Sequence, residues 1–156
     1  EFHTDYKVSK EFPVSVPSKI LLTCIALAKL DSKNEFAIIL KGKIEDDGYK
    51  VSEDFIIPEQ TVTGASVEFD NLKLVEYTAQ GYYTVIHFHP MNLKKFSGTD
   101  DQFINTNFEC SILFCDYEFT DAILNLKVGN VKIQVPAKVN VDTADVVLDT
   151  SKIKKR

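Results

Sequence analysis

Long hydrophobic runs are absent from this sequence. The most apolar stretch, Ile20–Leu30, falls well short of the roughly 20 apolar residues that a membrane-spanning helix needs. The opening residues, 1–10, are polar and mixed in charge, unlike the apolar segment of a secretory signal peptide. We therefore expect a soluble, cytoplasmic protein that has no membrane partner.

Cysteine is scarce, and its spacing excludes two common kinds of site. Cys24, Cys110 and Cys115 include no Cys-x-x-Cys pair, which argues against a zinc ribbon or a thioredoxin-type centre. Three cysteines cannot all pair within one chain, and a free cysteine in an apolar run behaves as a small hydrophobic residue. We expect reduced core thiols, as in proteins of a reducing compartment.

Positive charge is also in deficit, since the formal net charge is -5 at pH 7. An acidic surface repels phosphate backbones, so we do not expect a nucleic-acid partner. The lysines are scattered except in a basic C-terminal tail at 149–156. That tail is predicted to be a solvated terminus, and contact with an acidic partner is the alternative.

The rest of the composition, with 44% hydrophobic and 26% charged residues, is that of an ordinary globular protein. A chain of 156 residues has the length of one domain. We place this domain at 17–148, after an irregular N-terminal segment at 1–16 that is punctuated by proline.

The first half of that domain shows clear periodicity. Apolar residues recur at three- and four-residue steps after Pro17, which predicts a helix over Ser18–Leu30. The apolar run inside Glu35–Lys43 is continuous and therefore predicts a strand buried on both faces. Asp46–Gly48 is typical of a hairpin turn that leads into a partner strand, Tyr49–Ile57.

The second half alternates helices with strands. Such alternation predicts an α/β fold, in which a mixed β-sheet is layered with helices. The predicted elements are a short strand at Val67–Phe69, helices at Leu72–Gln80 and Ser97–Phe108, strands at Tyr82–His89, Ser111–Cys115, Ala122–Val128 and Val131–Val135, a turn at Gly129-Asn130, and a last strand or extended tail at Val139–Leu148.

A pair of histidines at the end of one predicted strand is the first candidate for chemistry. Side chains on a strand alternate between its faces, so His87 and His89 point the same way and can converge on one ion. Phe88 points to the opposite face, towards a core, and Pro90 ends the strand's hydrogen bonding.

Ser97 and Asp100 follow after a short loop, at the start of a predicted helix. The helix dipole keeps a carboxylate in the first helical turn ionised. Two histidines and one carboxylate leave the fourth position of a tetrahedral zinc ion open, which is typical of catalytic zinc sites. Water in that position loses its proton near neutral pH.

Each of these residues also has an ordinary interpretation. Two histidines at i and i+2 can be a chance surface feature or a buried pair whose hydrogen bonds are satisfied. Ser97-x-x-Asp100 resembles a capping box that stabilises a helix start. The third histidine, His3, has no implied role.

The combined pattern is more specific than its parts. His-x-His-Pro, six residues and then Ser-x-x-Asp resembles the signature of the JAMM metalloproteases, also called MPN or JAB domains. That family also carries a glutamate and two glycines on an earlier strand. Glu35 and Gly42 match those positions, while Ile38 stands where the family usually has the first glycine.

The resemblance implies a fold and a set of roles. The fold would be the MPN architecture, which is related in layout to cytidine deaminases. One zinc ion per chain would be held by His87, His89 and Asp100. Glu35 would act as the general base, and the Ser97 hydroxyl would donate a hydrogen bond to the oxyanion of the tetrahedral intermediate.

The resemblance also implies a substrate class. The expected activity is that of a zinc-dependent peptidase or isopeptidase acting at the C-terminus of a ubiquitin-like modifier, as in the compact prokaryotic, archaeal or viral members. The segment Thr61–Asn71 is interpreted as the wall of a groove to which an extended peptide adds as a strand, or else as a plain connecting loop.

Three other functions are alternatives to this one. A non-catalytic MPN scaffold or assembly module is the main alternative, and the same zinc chemistry could instead mature a particle protein or release a conjugate from a sulfur carrier. A zinc deaminase is disfavoured because its His-x-Glu and Pro-Cys-x-x-Cys motifs are missing. The oligomeric state is left open.

Overall fold

The structure is a computed structural model that describes residues 11–64, 66–95, 108–144, 146, 147 and 149–156. Strands account for 50% of these residues and helices for 17%. The elements, in chain order, are β1 (Phe12–Pro17), α1 (Ser18–Leu30), β2 (Phe36–Glu45), β3 (Gly48–Ile56), β4 (Gln60–Val62), β5 (Val67–Phe69), α2 (Asn71–Ala79), β6 (Thr84–Phe88), β7 (Cys110–Cys115), β8 (Glu118–Val128) and β9 (Val131–Asp142).

The long strands close into a barrel in the order β1-β3-β2-β6-β7-β8-β9, with β9 returning to β1. The pairs β1–β3, β1–β9 and β6–β7 are parallel, and the remaining neighbours are antiparallel. The short strands β4 and β5 form a separate hairpin.

The expected α/β fold, a mixed β-sheet layered with helices in the MPN manner, is therefore wrong. The described part of the chain is mostly β, with a closed seven-stranded barrel and two helices. Closure depends on two elements whose patterns are weak in the sequence. Residues 12–16, expected to be irregular, belong to β1, which pairs with both β3 and β9. β9 continues through Pro136 to Asp142 as one strand.

Most local elements match their sequence patterns. The helix at Ser18–Leu30, the strand after Glu35, the Asp46–Gly48 turn and the short β5 strand are confirmed within one or two residues. The helix expected at Ser97–Phe108 falls on residues 97–107, which lie outside the described part of the chain. Within the described residues, neither helix has the length and apolarity that crossing a membrane requires.

Two apolar clusters lie on opposite faces of β2 and β6. One cluster takes residues from every barrel strand and from α1, so it is the barrel interior; Ile38 and Ile86 are among its fully buried members. The other cluster packs Ala37, Ile39 and Val85 against α2 and the β4–β5 hairpin. The predicted burial of β2 on both faces is confirmed. Full burial of one such aliphatic side chain contributes about 1.5–3 kcal/mol.

The three cysteines are free and buried, as the sequence predicts. Cys24 and Cys110 lie in the barrel interior, where burial raises the pKa of both thiols far above the usual range. A thiol that stays protonated is a poor nucleophile and a poor metal ligand. These residues therefore serve packing.

Gly42 faces the barrel interior at a point that has no room for a side chain. A Cβ there would lie 2.7 Å from the hydroxyl oxygens of Thr84 and Tyr49, and those two oxygens are hydrogen-bonded to each other at 2.6 Å. The register of β2 against β3 shifts between Leu40 and Gly42, which marks a bulge. The glycine lets two buried hydroxyls meet beside this bulge.

Gly42→Ala is expected to lower the free energy of unfolding by about 3 kcal/mol, because Tyr49 and Thr84 are packed too tightly to withdraw. Urea unfolding followed by circular dichroism measures the loss. Gly129→Ala is the control, since nothing lies within 4 Å of the position of its Cβ. Its backbone is left-handed (φ +61), so placing alanine there should lower the free energy of unfolding by only about 1 kcal/mol. An unchanged unfolding midpoint for Gly42→Ala would contradict the packing argument.

Candidate metal centre

The pairing of β2 with β6 positions the candidate site. Phe36 lies opposite Phe88, and Ala37 lies opposite His87, in an antiparallel register. One step further along, Glu35 therefore comes opposite His89. Because side chains alternate along each strand, Glu35, His87 and His89 share one face of the sheet, while Phe36 and Phe88 point into the barrel interior.

The three side chains meet. His87 Nε2 lies 3.1 Å from Glu35 Oε2, and His89 Nε2 lies 3.7 Å from Glu35 Oε1. The two imidazole rings are 4.6 Å apart, centroid to centroid, and nearly perpendicular at 82°. One ligand atom from each residue lies within 4.8 Å of the other two. Two ring nitrogens and a carboxylate therefore converge on a single small volume.

A hydrogen bond to the backbone sets the orientation of His89. Its Nδ1 lies 2.7 Å from the carbonyl oxygen of Leu93. A carbonyl only accepts, so Nδ1 carries the proton in this bond, and the lone pair of a neutral ring is then on Nε2. Histidines that bind metals usually have such a partner on the other ring nitrogen.

The loop that supplies this carbonyl is tied to the end of β7. The His89 amide donates to the Phe114 carbonyl at 3.0 Å, and the Asn92 amide donates to Asp116 Oδ1 at 3.1 Å. Cys115 Sγ donates to the Pro90 carbonyl at 3.3 Å. These contacts connect residues 89–92 to the end of β7 and the turn that follows it, so the position of His89 does not depend on its own strand alone.

Glu35 is held by the β4–β5 hairpin. Its amide donates to the Thr63 carbonyl at 2.7 Å, and the Gln60 side chain bonds both the amide and the carbonyl of Ala37 at 2.8 Å. β3 pairs with β2 only as far as Ile39, so these groups occupy a stretch of β2 edge that β3 does not reach. Glu35 therefore enters the site from a fixed backbone.

The electrostatics of the cluster favour a cation. The Glu35 side chain is only 5% exposed, and those of His87 and His89 are 0% and 2% exposed. A buried carboxylate without a compensating positive charge is strongly unfavourable. Two imidazoles and one carboxylate are ligands that divalent transition metals accept, so this group could hold a metal ion.

Of the site residues expected from the sequence, the structure brings Glu35, His87 and His89 together. Ser97 and Asp100 lie outside the described residues, and their roles stay predictions. Sequence reasoning missed the supporting groups, namely Gln60 and the carbonyls of Thr63 and Leu93. A backbone carbonyl has no sequence signal, so only the folded chain could identify these last two.

The segment Thr61–Asn71, interpreted as a groove wall or a plain loop, contains β5 and most of β4. Val67 and Phe69 are buried in the apolar cluster beside Ala37, and the Asp70 carboxylate accepts from the amides of Leu72 and Lys73 to cap α2. The segment is thus an ordered hairpin beside Glu35. Binding of a peptide along it stays a prediction.

Comparisons with known proteins do not identify a family. No family model matches this chain, and no curated protein is similar to it in sequence. The likeness to the JAMM metalloproteases therefore rests on the spacing of the motif residues alone.

His87→Gln and His89→Gln are each expected to weaken binding of a divalent metal ion by more than about tenfold. Loss of a residue that only hydrogen-bonds to a metal ligand commonly weakens metal binding by that factor, so loss of a ligand should weaken it further. Isothermal titration with Zn²⁺ and absorption spectroscopy with Co²⁺ measure the affinity. His3→Gln is the matched control and should bind like the unsubstituted protein. Equal affinities for all three variants would exclude a metal centre at this cluster.

Proposed function

We propose that this protein is a zinc-dependent peptidase or isopeptidase that hydrolyses an amide bond by metal-assisted attack of water. The observation that supports this best is the position of the Glu35 carboxylate, within 4 Å of Nε2 of both His87 and His89. Glu35 and His87 are 52 positions apart in the chain, yet their side chains meet in a buried cluster.

The donor set favours zinc as the metal. His87 and His89 would hold it through their Nε2 atoms, and Asp100 is proposed as the third ligand from the motif resemblance. Zinc, when bound, supplies a Lewis acid that polarises a carbonyl and makes water more acidic. The His89–Leu93 hydrogen bond supports this role because it fixes the ring orientation before any ion binds.

Glu35 is proposed as the general base. Its two oxygens lie beside the ligand nitrogens, so either can accept a proton from a water molecule held at the same place. The same carboxyl can then donate that proton to the leaving amine nitrogen. The Thr63 carbonyl holds the backbone of Glu35, which limits the movement of this carboxylate. Ser97 is proposed to donate a hydrogen bond to the oxyanion of the tetrahedral intermediate.

A second arrangement of the same atoms is favoured by the close contact between Glu35 and His87. At 3.1 Å the carboxylate is near enough to be a ligand itself, completing a Glu-His-His set without Asp100. Glu35 would then be unable to act as the base. The two arrangements predict opposite results when the carboxylate is removed. The metal stays bound if Glu35 is the general base, and it is lost if Glu35 is a ligand.

The substrate is proposed to be a protein, the C-terminus of a ubiquitin-like modifier or its conjugate. The β4–β5 hairpin supports an extended substrate, since it lies beside Glu35 and, among the residues that the structure describes, forms a sheet of two strands. An extended peptide can add to such an edge through backbone hydrogen bonds. The alternatives are a non-catalytic scaffold and an enzyme that matures a particle protein.

Glu35→Gln is expected to lower turnover by about a hundredfold or more, because a general base contributes that much to a hydrolysis rate. The variant should retain its zinc, measured by atomic absorption, because glutamine leaves His87 and His89 in place. Glu53→Gln, on the surface, is the matched control and should keep full activity. Loss of zinc together with activity would instead make Glu35 a ligand.

Activity is measured on a panel of ubiquitin-like modifiers that carry a reporter at the C-terminus. We expect cleavage of at least one fusion, its loss after treatment with a chelator, and its return when zinc is added. Absence of cleavage from zinc-loaded protein across the panel, combined with tight binding to a larger assembly, would support the scaffold alternative.

A further inference from the structure

A small cavity lies at the end of the barrel beside the metal centre. Its volume is about 30 Å³, enough for the slim end of a side chain and too little for an aromatic ring. Asn34 and Phe36, the two chain neighbours of Glu35, both line it, and so does His89. Phe36 points into the barrel interior and Glu35 to the opposite face, so the cavity and the cluster meet at the same strand ends, with His89 common to both.

We propose that this cavity is a subsite for the ε-ammonium end of a lysine side chain on the polypeptide that the metal centre acts on. The ligand class follows from the cavity itself, while the assignment to a substrate rests on the proposed function. A polypeptide that crosses the ends of β2 and β6 would reach the cluster with its backbone and the cavity with one side chain.

The floor of the cavity suits an apolar stem below a cation. Phe36 and Phe88 stack with their ring centroids 4.3 Å apart, and Phe114 packs against Phe88 at 5.2 Å. All three residues line the cavity. Methylene groups are buried against such rings, and the face of a phenyl ring attracts an ammonium group.

Two carboxylates give the cavity a negative charge. Asp31 and Asp116 both line it, and neither lysine nor arginine does. Asp31 is held in place, because its side chain accepts from the amides of Lys33 and Asn34 and from the Asn34 side chain. These hydrogen bonds lower the pKa of the Asp31 carboxyl, so it is ionised at neutral pH.

A lysine of this chain competes for the other carboxylate. Lys94 Nζ lies 3.8 Å from Asp116 Oδ2, and the Lys94 side chain is 56% exposed. The lysine end of this pair lies largely in solvent, whereas the Asp116 side chain is only 18% exposed, so salt screens the interaction only in part. An incoming ammonium group can exchange with Lys94 at this carboxylate, because the same charge contact is kept.

The cavity rim is held in an unfavourable backbone conformation. Asn92, Asp116 and Tyr117 are the non-glycine residues with positive φ in the described part of the chain, at 73°, 54° and 62°. Asp116 and Tyr117 line the cavity, and Asn92 is hydrogen-bonded to Asp116. Asp116 and Tyr117 form the turn between β7 and β8, where Asn-Gly is the favoured pair. Backbone strain of this kind tends to occur at binding sites.

The test is a titration of the 156-residue chain with Nα-acetyl-lysine methylamide as the probe, followed by amide chemical shifts. The uncharged probe is Nα-acetyl-norleucine methylamide, which has the same stem. We expect the lysine probe to shift the signals of Asn34, Phe36 and Met91 and to bind about fivefold tighter than the norleucine probe. Equal binding, or shifts only elsewhere on the protein, would overturn the proposal.

Asp31→Asn and Asp116→Asn each remove one charge and keep an oxygen that can accept the backbone hydrogen bond. Each is expected to weaken binding of the lysine probe about twofold, since the two carboxylates share the fivefold preference, and to leave the norleucine probe unaffected. Lys94→Gln should strengthen binding of the lysine probe. Asp54→Asn, on the surface, is the matched control. Unchanged affinity in both Asp31→Asn and Asp116→Asn would exclude a charge-reading subsite.

Both titrations are made with zinc-free and with zinc-loaded protein, which separates this proposal from the proposed function. If the protein has no hydrolase activity but still binds the lysine probe, the subsite proposal stands and only the proposed peptidase function is refuted. Among cleaved peptides, replacing one lysine near the scissile bond by norleucine should lower kcat/KM about fivefold in the unsubstituted protein. The same replacement should lower kcat/KM only about twofold in Asp31→Asn, which keeps Asp116.

Discussion

The register between β2 and β6 is the constraint on which the rest of this structure depends. Because side chains alternate along a strand, a shift of one residue in the register would move every side chain of one strand to the other face of the sheet. The observed register places Glu35 across from His89 and keeps Phe36 stacked on Phe88. The same pairing thus fills the barrel interior on one face and assembles a carboxylate with two imidazoles on the other.

The cluster illustrates how a fold holds in place polar groups whose burial is energetically unfavourable. Glu35 is tied through its backbone to Thr63, and His89 through its ring to Leu93, so order at the site comes from neighbouring segments rather than from the three side chains. A cation bound only by the folded chain would stabilise that fold by mass action. Metal binding at this cluster would therefore couple to the stability of the fold.

Closure of the barrel explains both the error in the expected fold and the position of the proposed subsite. β1 is short and contains prolines, which resembles a loop, yet it pairs in parallel with β3 and β9 and completes the sheet. Closure leaves the strand ends around a common rim. The turn after β7 and the loop after β6 meet there, hydrogen-bonded through Asn92 and Asp116.

Local structure was largely determined by the sequence. Periodicity placed α1 and β2, and the two-residue spacing of His87 and His89 put both rings on one face, because such patterns depend only on backbone geometry. The meeting of Glu35 with those rings was suggested by motif spacing but decided by tertiary structure. Tertiary structure also decided three further features, because each depends on contacts between segments far apart in the chain. These are barrel closure through β1, the positions of the Leu93 and Thr63 carbonyls, and the cavity at the rim.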